Sequence, residues 1–437
     1  MSTRYRELLT TLLAYKSIST DAEFADQITA TAEHLKNVFA EQGFTAQIVQ
    51  GYGNPLVVAR FTVDPALETC LVYGHYDVQP AKFEDGWNSE PFELHEQGGR
   101  LFGRGVVDNK GQFLMHVATV FDLIAEKKLR YNVVFLIEGD EETGSGDVGK
   151  FLRENKDLLK ADFALISDGE YAPGEPTVEI GFRGTGNAEL HIKTGETDLH
   201  SGLFGGTVPN AALELSRIIA SLTDEQNKVL VPGYYDGAEI TDAGRAHTEA
   251  LPFSEKQYME LAGVQTLFAE SGENMYAQLG LRPCLEVSGI ATGYSGVGFR
   301  NSVPAEAMAK INLRFGPDQN PDRVIESLRM YIASIVPEYV TWEFTPVQAS
   351  KGVLMATEEP AVQRAVDVLA HVHGKTVLYK YCGATIPIVT DFKDVLGLVP
   401  VTIPLCNDDC RMHAANENLS LDYLEKGLAF SREFLGR

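Results

Sequence analysis

The sequence predicts an α/β protein: a domain with a mostly parallel sheet flanked by helices, interrupted by an inserted α+β domain. Three observations predict it. In the first part of the chain, short apolar runs alternate with helix-length amphipathic segments, the pattern of a parallel sheet covered by helices. Near residue 183 the order becomes strand–helix–strand–strand–helix–strand, as in a small antiparallel sheet with helices on one face. From about residue 351 the α/β character returns, so the first domain resumes. A length of 437 residues also exceeds what one simple core holds. The expected domains are 1–182 with 351–437, and 183–350.

The elements follow in order. Residues 5–18 read as a helix with Leu8, Leu9, Leu12 and Leu13 on one face. Residues 24–42 read as a second, carried by Ile28, Ala32, Leu35 and Phe39 and closed by Gly43 as C-cap. Strands are expected at 45–50, 55–62 and 69–74, a helix at 112–125, a buried strand at 132–137, a helix at 146–155 and a buried strand at 162–166. In the insertion, 185–193 alternates as a half-buried strand, and 209–222 is a helix with Pro209 near its first turn. The stretch 223–280 reads as polar and irregular, punctuated by Pro232, Gly233, Pro252 and Gly272. Strands at 284–290 and 305–315, a helix at 321–334 and a strand at 339–346 complete it, and a helix at 359–373 belongs to the resumed domain.

Composition narrows the function. Asp plus Glu number 61 against 37 Lys plus Arg, a net charge of −24, which repels phosphate backbones and argues against nucleic acid as a partner. The start carries Arg4, Arg6 and Glu7 among its leucines, which does not fit a secretory apolar region. No run of 18 apolar residues is present to cross a membrane. The cysteines, Cys70, Cys284, Cys382, Cys406 and Cys410, are odd in number and scattered, unlike a disulfide framework. A reducing cytoplasm is the expected location. Cys406 and Cys410 read as buried thiols, with a thiolate metal pair as the alternative.

Five acid-and-histidine positions carry the chemistry: His75 in YGHYDVQP, Asp108 in GRGVVDNKG, Glu142 in EGDEETGS, Asp168 in ISDGE and His413 in NDDCRMHAANE. Several follow apolar strand runs, and ligands of α/β sheets bind beyond the carboxyl ends of strands. Two imidazoles and three carboxylates suit a pair of divalent cations, and such a pair implies hydrolysis by activated water. Asp77 shares a face with His75 in an extended chain and can fix its tautomer. Asp108 follows a Gly-Arg-Gly turn before a helix start, where a carboxylate can bridge two cations or cap the helix. Four acids between Glu138 and Glu142 crowd negative charge that a cation relieves, although a solvated acidic loop has the same composition. Neighbouring Glu141 and Glu142 point differently, so one can ligate while the other acts as base. A dinucleotide-dependent oxidoreductase is disfavoured. Gly103-Arg-Gly105 and Gly144-Ser-Gly146 complete no GxGxxG, and Asp108 and Glu142 would repel a pyrophosphate.

With these motifs in order (GHYDVQP, GRGxxDxKG, GDEETGS, DLHSGLFGG and a late histidine in an acidic loop) the chain resembles the co-catalytic metallopeptidases and amidohydrolases. These include carnosinase-like dipeptidases, acetylornithine deacetylase, succinyl-diaminopimelate desuccinylase, aminoacylase and glutamate carboxypeptidase. The likeness covers nearly the whole chain, and DLHSGLFGG is similar to the carnosinase-type branch. The resemblance implies two divalent ions per chain, zinc by expectation, with manganese or cobalt serving the same ligands. It implies His75 and Asp168 on one ion, Glu142 and His413 on the other, and Asp108 bridging both. It implies Asp77 as the residue orienting His75, Glu141 as general base, and a cis Asp108–Asn109 bond. His200 would steady the oxyanion in a neighbouring subunit of a homodimer. Asn301 and Arg314 would contact the substrate carboxylate, and Gly383 and Thr385 would lie in a glycine-containing loop near the substrate's free end. The implied reaction is cleavage of a dipeptide or short peptide with a free C-terminus by a metal-bridged hydroxide, with N-acyl-amino-acid deacylation as the alternative. The chain departs from the carnosinase pattern at Tyr381 and Cys382, where an Arg-Glu pair is usual, and in GATIP for GGSIP. These departures bear on substrate preference.

Overall fold

The computed structural model describes residues 3–270 and 272–437, which form two compact units. One comprises the chain up to Ile180, Met355–Lys380 and Pro387–Arg437; the other comprises Gly181–Leu354 and Tyr381–Ile386.

The first unit is built on strands β1 (Thr45–Val49), β2 (Leu56–Phe61), β3 (Thr69–His75), β4 (Asn132–Glu138), β5 (Phe163–Ile166), β6 (Thr177–Phe182) and a late strand, Val399–Thr402. Across the sheet they run β1-β2-β4-β3-β5, then Val399–Thr402, then β6. The sheet is mixed. β4, β3, β5 and Val399–Thr402 are mutually parallel, as expected, whereas β1, β2 and β6 pair antiparallel. The β1–β2 pairing follows from its connection. A short turn with Gly51 and Gly53 at positive φ joins β1 to β2, and only an antiparallel pair closes so tightly. All seven residues of β4 are buried, as a central parallel strand requires.

The helix Lys110–Ala125 packs on β3 and against the helices Thr3–Leu13 and Leu421–Leu435. It is buried on almost every side, which explains its weak amphipathic signal. β6 was not expected; Gly181 and Arg183 obscure the end of its apolar run, yet all its residues are buried.

In the second unit, β7 (Gly184–Lys193), β8 (Cys284–Thr292), β9 (Glu306–Phe315) and β10 (Thr341–Ser350) form an antiparallel sheet in the order β8-β9-β7-β10. Alternation decides its faces. Ala188, Leu190 and Ile192 of β7 join a core with Leu215 and Ile218 of the helix Ala211–Ala220 and Val324, Leu328 and Ile332 of the helix Pro321–Ile335. The stretch expected to be irregular contains three short helices, Asp242–Ala250, Glu255–Ala262 and Met275–Gly280. Side chains of Thr241, Ser254 and Asn274 cap them, a signal outweighed in the sequence by their thin apolar faces.

One boundary moves. Tyr381–Ile386 belongs with the second unit, not with the resumed first domain. The reason is local bonding: Arg183 Nε donates to Gly383 O at 3.0 Å, and Thr385 Oγ1 donates to Arg183 O at 2.6 Å.

Candidate metal centre

The parallel register sets the site. Tyr73 of β3 pairs with Ile166 of β5, so His75 and Asp168 leave the sheet at the same height. His75 also pairs with Glu138, the last residue of β4, and the acidic turn Glu141–Thr143 follows. Asp108 precedes the helix Lys110–Ala125, whose N-cap is Asn109, and the bond between them is cis. Asp108 therefore does not cap that helix.

Two groups of donors result, sharing one residue. Ligand atoms of His75, Asp108 and Asp168 lie within 4.8 Å of one another, as do those of Asp108, Glu142 and His413. Asp108 divides its oxygens between them: Oδ1 lies 2.9 Å from His75 Nε2 and Oδ2 lies 2.7 Å from His413 Nε2. His75 Nε2 is 3.7 Å from Asp168 Oδ2, and His413 Nε2 is 3.3 Å from Glu142 Oε2.

The residues present fit a pair of cations. His75 Nε2 and Glu142 Oε1 are buried without a hydrogen bond, a costly state that a cation would relieve. His75 Nδ1 faces the backbone carbonyl of Asp77 at 3.1 Å, which fixes the proton there and leaves the Nε2 lone pair free. The donors are nitrogen and oxygen, the set that suits zinc, manganese or cobalt. Among the described residues neither group includes a cysteine; Cys406 and Cys410 are buried thiols, and Cys406 Sγ donates to Gly169 O at 3.0 Å.

Electrostatics show the crowding. Desolvation works against the charged form of Asp108, but the neighbouring His413 and His75 imidazoles hold its carboxyl below the usual range. Hydrogen bonds to Asp108 and Glu142 raise His413 to about 10. Burial, then the neighbouring Asp168, Asp108 and Glu138 carboxylates, pushes Glu141 well above an ordinary glutamate.

Asp77 does more than the sequence implied. It is fully buried, and its Oδ1 lies 3.3 Å from His75 Nδ1. Its two oxygens also accept the backbone N–H groups of Glu141 at 3.3 Å and Glu142 at 3.1 Å, and Ser19 Oγ donates to Oδ2 at 2.7 Å. One carboxylate thus holds both β3's histidine and the acidic turn.

Three supporting residues escaped sequence reasoning. Gln79 Nε2 donates to Glu142 Oε2 at 2.7 Å, and Asn109 Nδ2 donates to Asp168 Oδ1 at 2.9 Å. Glu417 binds the backbone around Asp108. Their presence inside YGHYDVQP, VVDNKG and HAANE was the available signal.

The remaining expected residues lie in the second unit. His200 is exposed, its Nδ1 accepts from Gly202 N–H at 3.0 Å, and it pairs with Ser302 in a short ribbon. Asn301 is exposed beside it, its carbonyl accepting from Ser201 N–H at 3.0 Å. Arg314 Nη1 donates to Thr385 Oγ1 at 3.2 Å. Burial, then the nearby Arg183 guanidinium, lowers the pKa of Arg314. Arg183, in the turn before β7, brings a second cation to Gly383, Thr385 and Arg314, which sequence reasoning also missed.

The match to known proteins rests on this framework. A model of peptidase family M20/M25/M40 matches residues 71–437. The chain belongs to that family. It is a hydrolase, a metallopeptidase. It is 28% identical over 393 residues to the Beta-Ala-His dipeptidase of Rattus norvegicus, covering 87% of this chain and 79% of that one. It is 28% identical over 452 residues to the Cys-Gly metallodipeptidase DUG1 of Candida albicans, covering 96% and 91%. In structure it is similar to the M20 family metallo-carboxypeptidase Sso-CP2 from Sulfolobus solfataricus, with a TM-score of 0.88, 28% identity and coverage of 100% and 99%. No described helix is long and apolar enough to cross a membrane.

Proposed function

We propose that this metallopeptidase hydrolyses the amide bond of dipeptides and short peptides bearing a free C-terminal carboxylate. The observation that carries the reading is the pair of donor groups sharing Asp108, with His75 Nε2 and Glu142 Oε1 buried and unbonded. The two curated relatives above are dipeptidases, so the deacylase alternative is set aside.

In this reading His75, Asp108 and Asp168 would hold one divalent ion, and Asp108, Glu142 and His413 would hold the other. When bound, the ions supply Lewis acidity and bring the pKa of water toward neutrality. Glu141 takes a proton from water and returns it to the leaving amine. Its raised affinity for a proton suits the first step. Asp77 keeps His75 in the ligating tautomer and fixes the turn that carries Glu141. Arg314, with Asn301, is the carboxylate contact. A guanidinium held by Thr385 is preorganised for bidentate binding. Gly383 and Thr385 border the substrate's free end.

Zinc is the proposed ion, with manganese or cobalt compatible. A cytoplasmic homodimer is the proposed state, with His200 stabilising the oxyanion. Exposed Leu203, Val297 and Phe299 lie in the segments that pair around His200 and Asn301, and such apolar exposure suits burial by a second copy. The proposed partner is a small peptide, not nucleic acid or membrane.

The test is hydrolysis of a panel of dipeptides, N-acetyl and N-succinyl amino acids by chelator-stripped protein with zinc or manganese added back. Dipeptide cleavage returning with about two ions per chain is expected. Cleavage of the acyl amino acids alone would overturn the substrate assignment.

A further inference from the structure

Glu417 is fully buried, carries no role in the reaction, and collects an unusual set of donors. Its carboxylate accepts the backbone N–H of Gly105 at 3.0 Å, of Val107 at 2.8 Å and of Asp108 at 3.1 Å. Arg104 Nη1 adds a charged bond at 2.8 Å, and the Arg104 guanidinium lies over the Trp87 ring. Glu417's own carbonyl accepts from Gly103 N–H at 3.2 Å. The loop before Asp108 thus wraps its amides around one carboxylate, as backbone nests wrap anions.

Glu417 also ends the loop that carries His413. Within that loop Arg411, His413 and Asn416 all hold positive φ, which side-chain-bearing residues adopt only when their surroundings over-determine it. The other end is pinned at Asp409, which takes a bidentate bond from Arg100 at 2.8 and 2.9 Å. Asn416 is held by Asn88 N–H donating to its Oδ1 at 2.8 Å. Asp108 and His413 come from segments about 300 residues apart, and Glu417 is the group bonded to one and continuous with the other.

We infer that Glu417 is a positioning residue that fixes the Asp108 loop against the His413 loop and thereby sets the affinity of the Asp108–Glu142–His413 group for its cation. The inference rests on the two-ion reading of the site. A residue that orients ligands in this way changes metal affinity by about 10–100-fold when altered.

The test compares zinc binding, by competition with a chelator of known affinity, in the full-length protein and in Glu417→Gln and Glu417→Asp. The glutamine would turn an NH2 group toward the backbone N–H donors. The aspartate, one methylene shorter, would not reach all three amides and Arg104 together. Expected are two ions in the wild type and a selective loss of about 10–100-fold for one of them in Glu417→Gln. Glu417→Asp should lose at least about threefold, and the other ion, which shares the Asp108 loop but not the His413 loop, should lose less in both. If Glu417→Gln does not fold, Glu417→Asp carries the test alone. The thermal midpoint of the chelated protein separates the alternatives, since a merely structural role moves that midpoint and leaves both affinities unchanged. Native affinities in the folded variants would overturn the inference while leaving the two-ion site standing. A wild type that binds no zinc, manganese or cobalt would overturn both.

Discussion

Replacing Asp77 with asparagine tests whether one buried carboxylate organises both halves of the site. Oδ1 faces His75 Nδ1 and the Glu141 N–H; Oδ2 takes Ser19 Oγ and the Glu142 N–H. The amide nitrogen of the variant must replace one oxygen. At Oδ1 it would oppose two N–H groups. At Oδ2 it would oppose only the Glu142 N–H, because the Ser19 hydroxyl can rotate and accept. The second orientation is therefore favoured, and the damage falls on Glu142. A hydrogen bond to a charged group contributes about 1.5–3 kcal/mol, and leaving a buried donor unpaired adds about 1–3 kcal/mol. The terms are not additive, and about 3 kcal/mol is a fair total, or about 100-fold in kcat/KM. The assay is dipeptide hydrolysis at saturating zinc, with zinc affinity measured alongside. The Glu142-side ion should weaken more than the His75-side ion. A variant within about threefold of wild type in both measurements would refute the reasoning, because three amide and hydroxyl donors cannot lose a carboxylate acceptor at no cost.

Glu141→Gln should lower kcat by about 10²–10⁴-fold, the range for a general base, while zinc stoichiometry and KM stay close to wild type; unchanged turnover would remove Glu141 from the base role. His200→Ala should lower kcat by about 10²–10³-fold with little change in KM if it donates to the oxyanion, and near-normal turnover would sink that assignment. The pH dependence follows from His413, raised to about 10 by Asp108 and Glu142 in the cation-free protein. A histidine whose folded pKa exceeds its unfolded value of about 6.5 stabilises the fold fully below that value and loses the contribution as pH rises through about 10. The chelated protein should therefore melt at progressively lower temperature between pH 7 and pH 10, and His413→Ala should flatten that slope. Zinc must displace the same proton, so its apparent affinity should rise by up to about tenfold per pH unit over this window, read by competition titration.

The sequence made the donors legible because their positions repeat one physical event, a polar residue at the end of a buried strand. His75 and Asp168 belong to that event directly, and the acids after β4 follow within a few residues. The supporting shell was not legible for an equally physical reason. Gln79 meets Glu142 across 63 residues, and Glu417 meets Val107 across 310. No local pattern encodes such a pairing. The same holds for Tyr381–Ile386, whose place beside Arg183 depends on bonds about 200 residues apart. In the sheet, the periodicity identified the parallel centre, while the antiparallel β1–β2 pair was set by a glycine turn whose sign of φ no apolar pattern reveals.

In the proposed mechanism the supporting shell also separates ligand from base where composition could not. Glu141 and Glu142 are neighbours of one type in one turn. Glu142 is tethered by Gln79 and faces His413; Asp168 is tethered by Asn109; Asp108 is held between two histidines. Each is a carboxylate whose position is fixed before a cation arrives, which is what a ligand requires. Glu141 is anchored through its backbone, its N–H donating to Asp77 and its carbonyl accepting from Gly144 N–H at 2.8 Å, and among the described residues its carboxylate takes no hydrogen bond. Its carboxylate sits in the field of Asp168, Asp108 and Glu138, which favours taking a proton. A group that must receive a proton and hand it on is served by an anchored backbone and an untethered carboxylate. The division of labour between two adjacent glutamates therefore lies in which of them the neighbours hold.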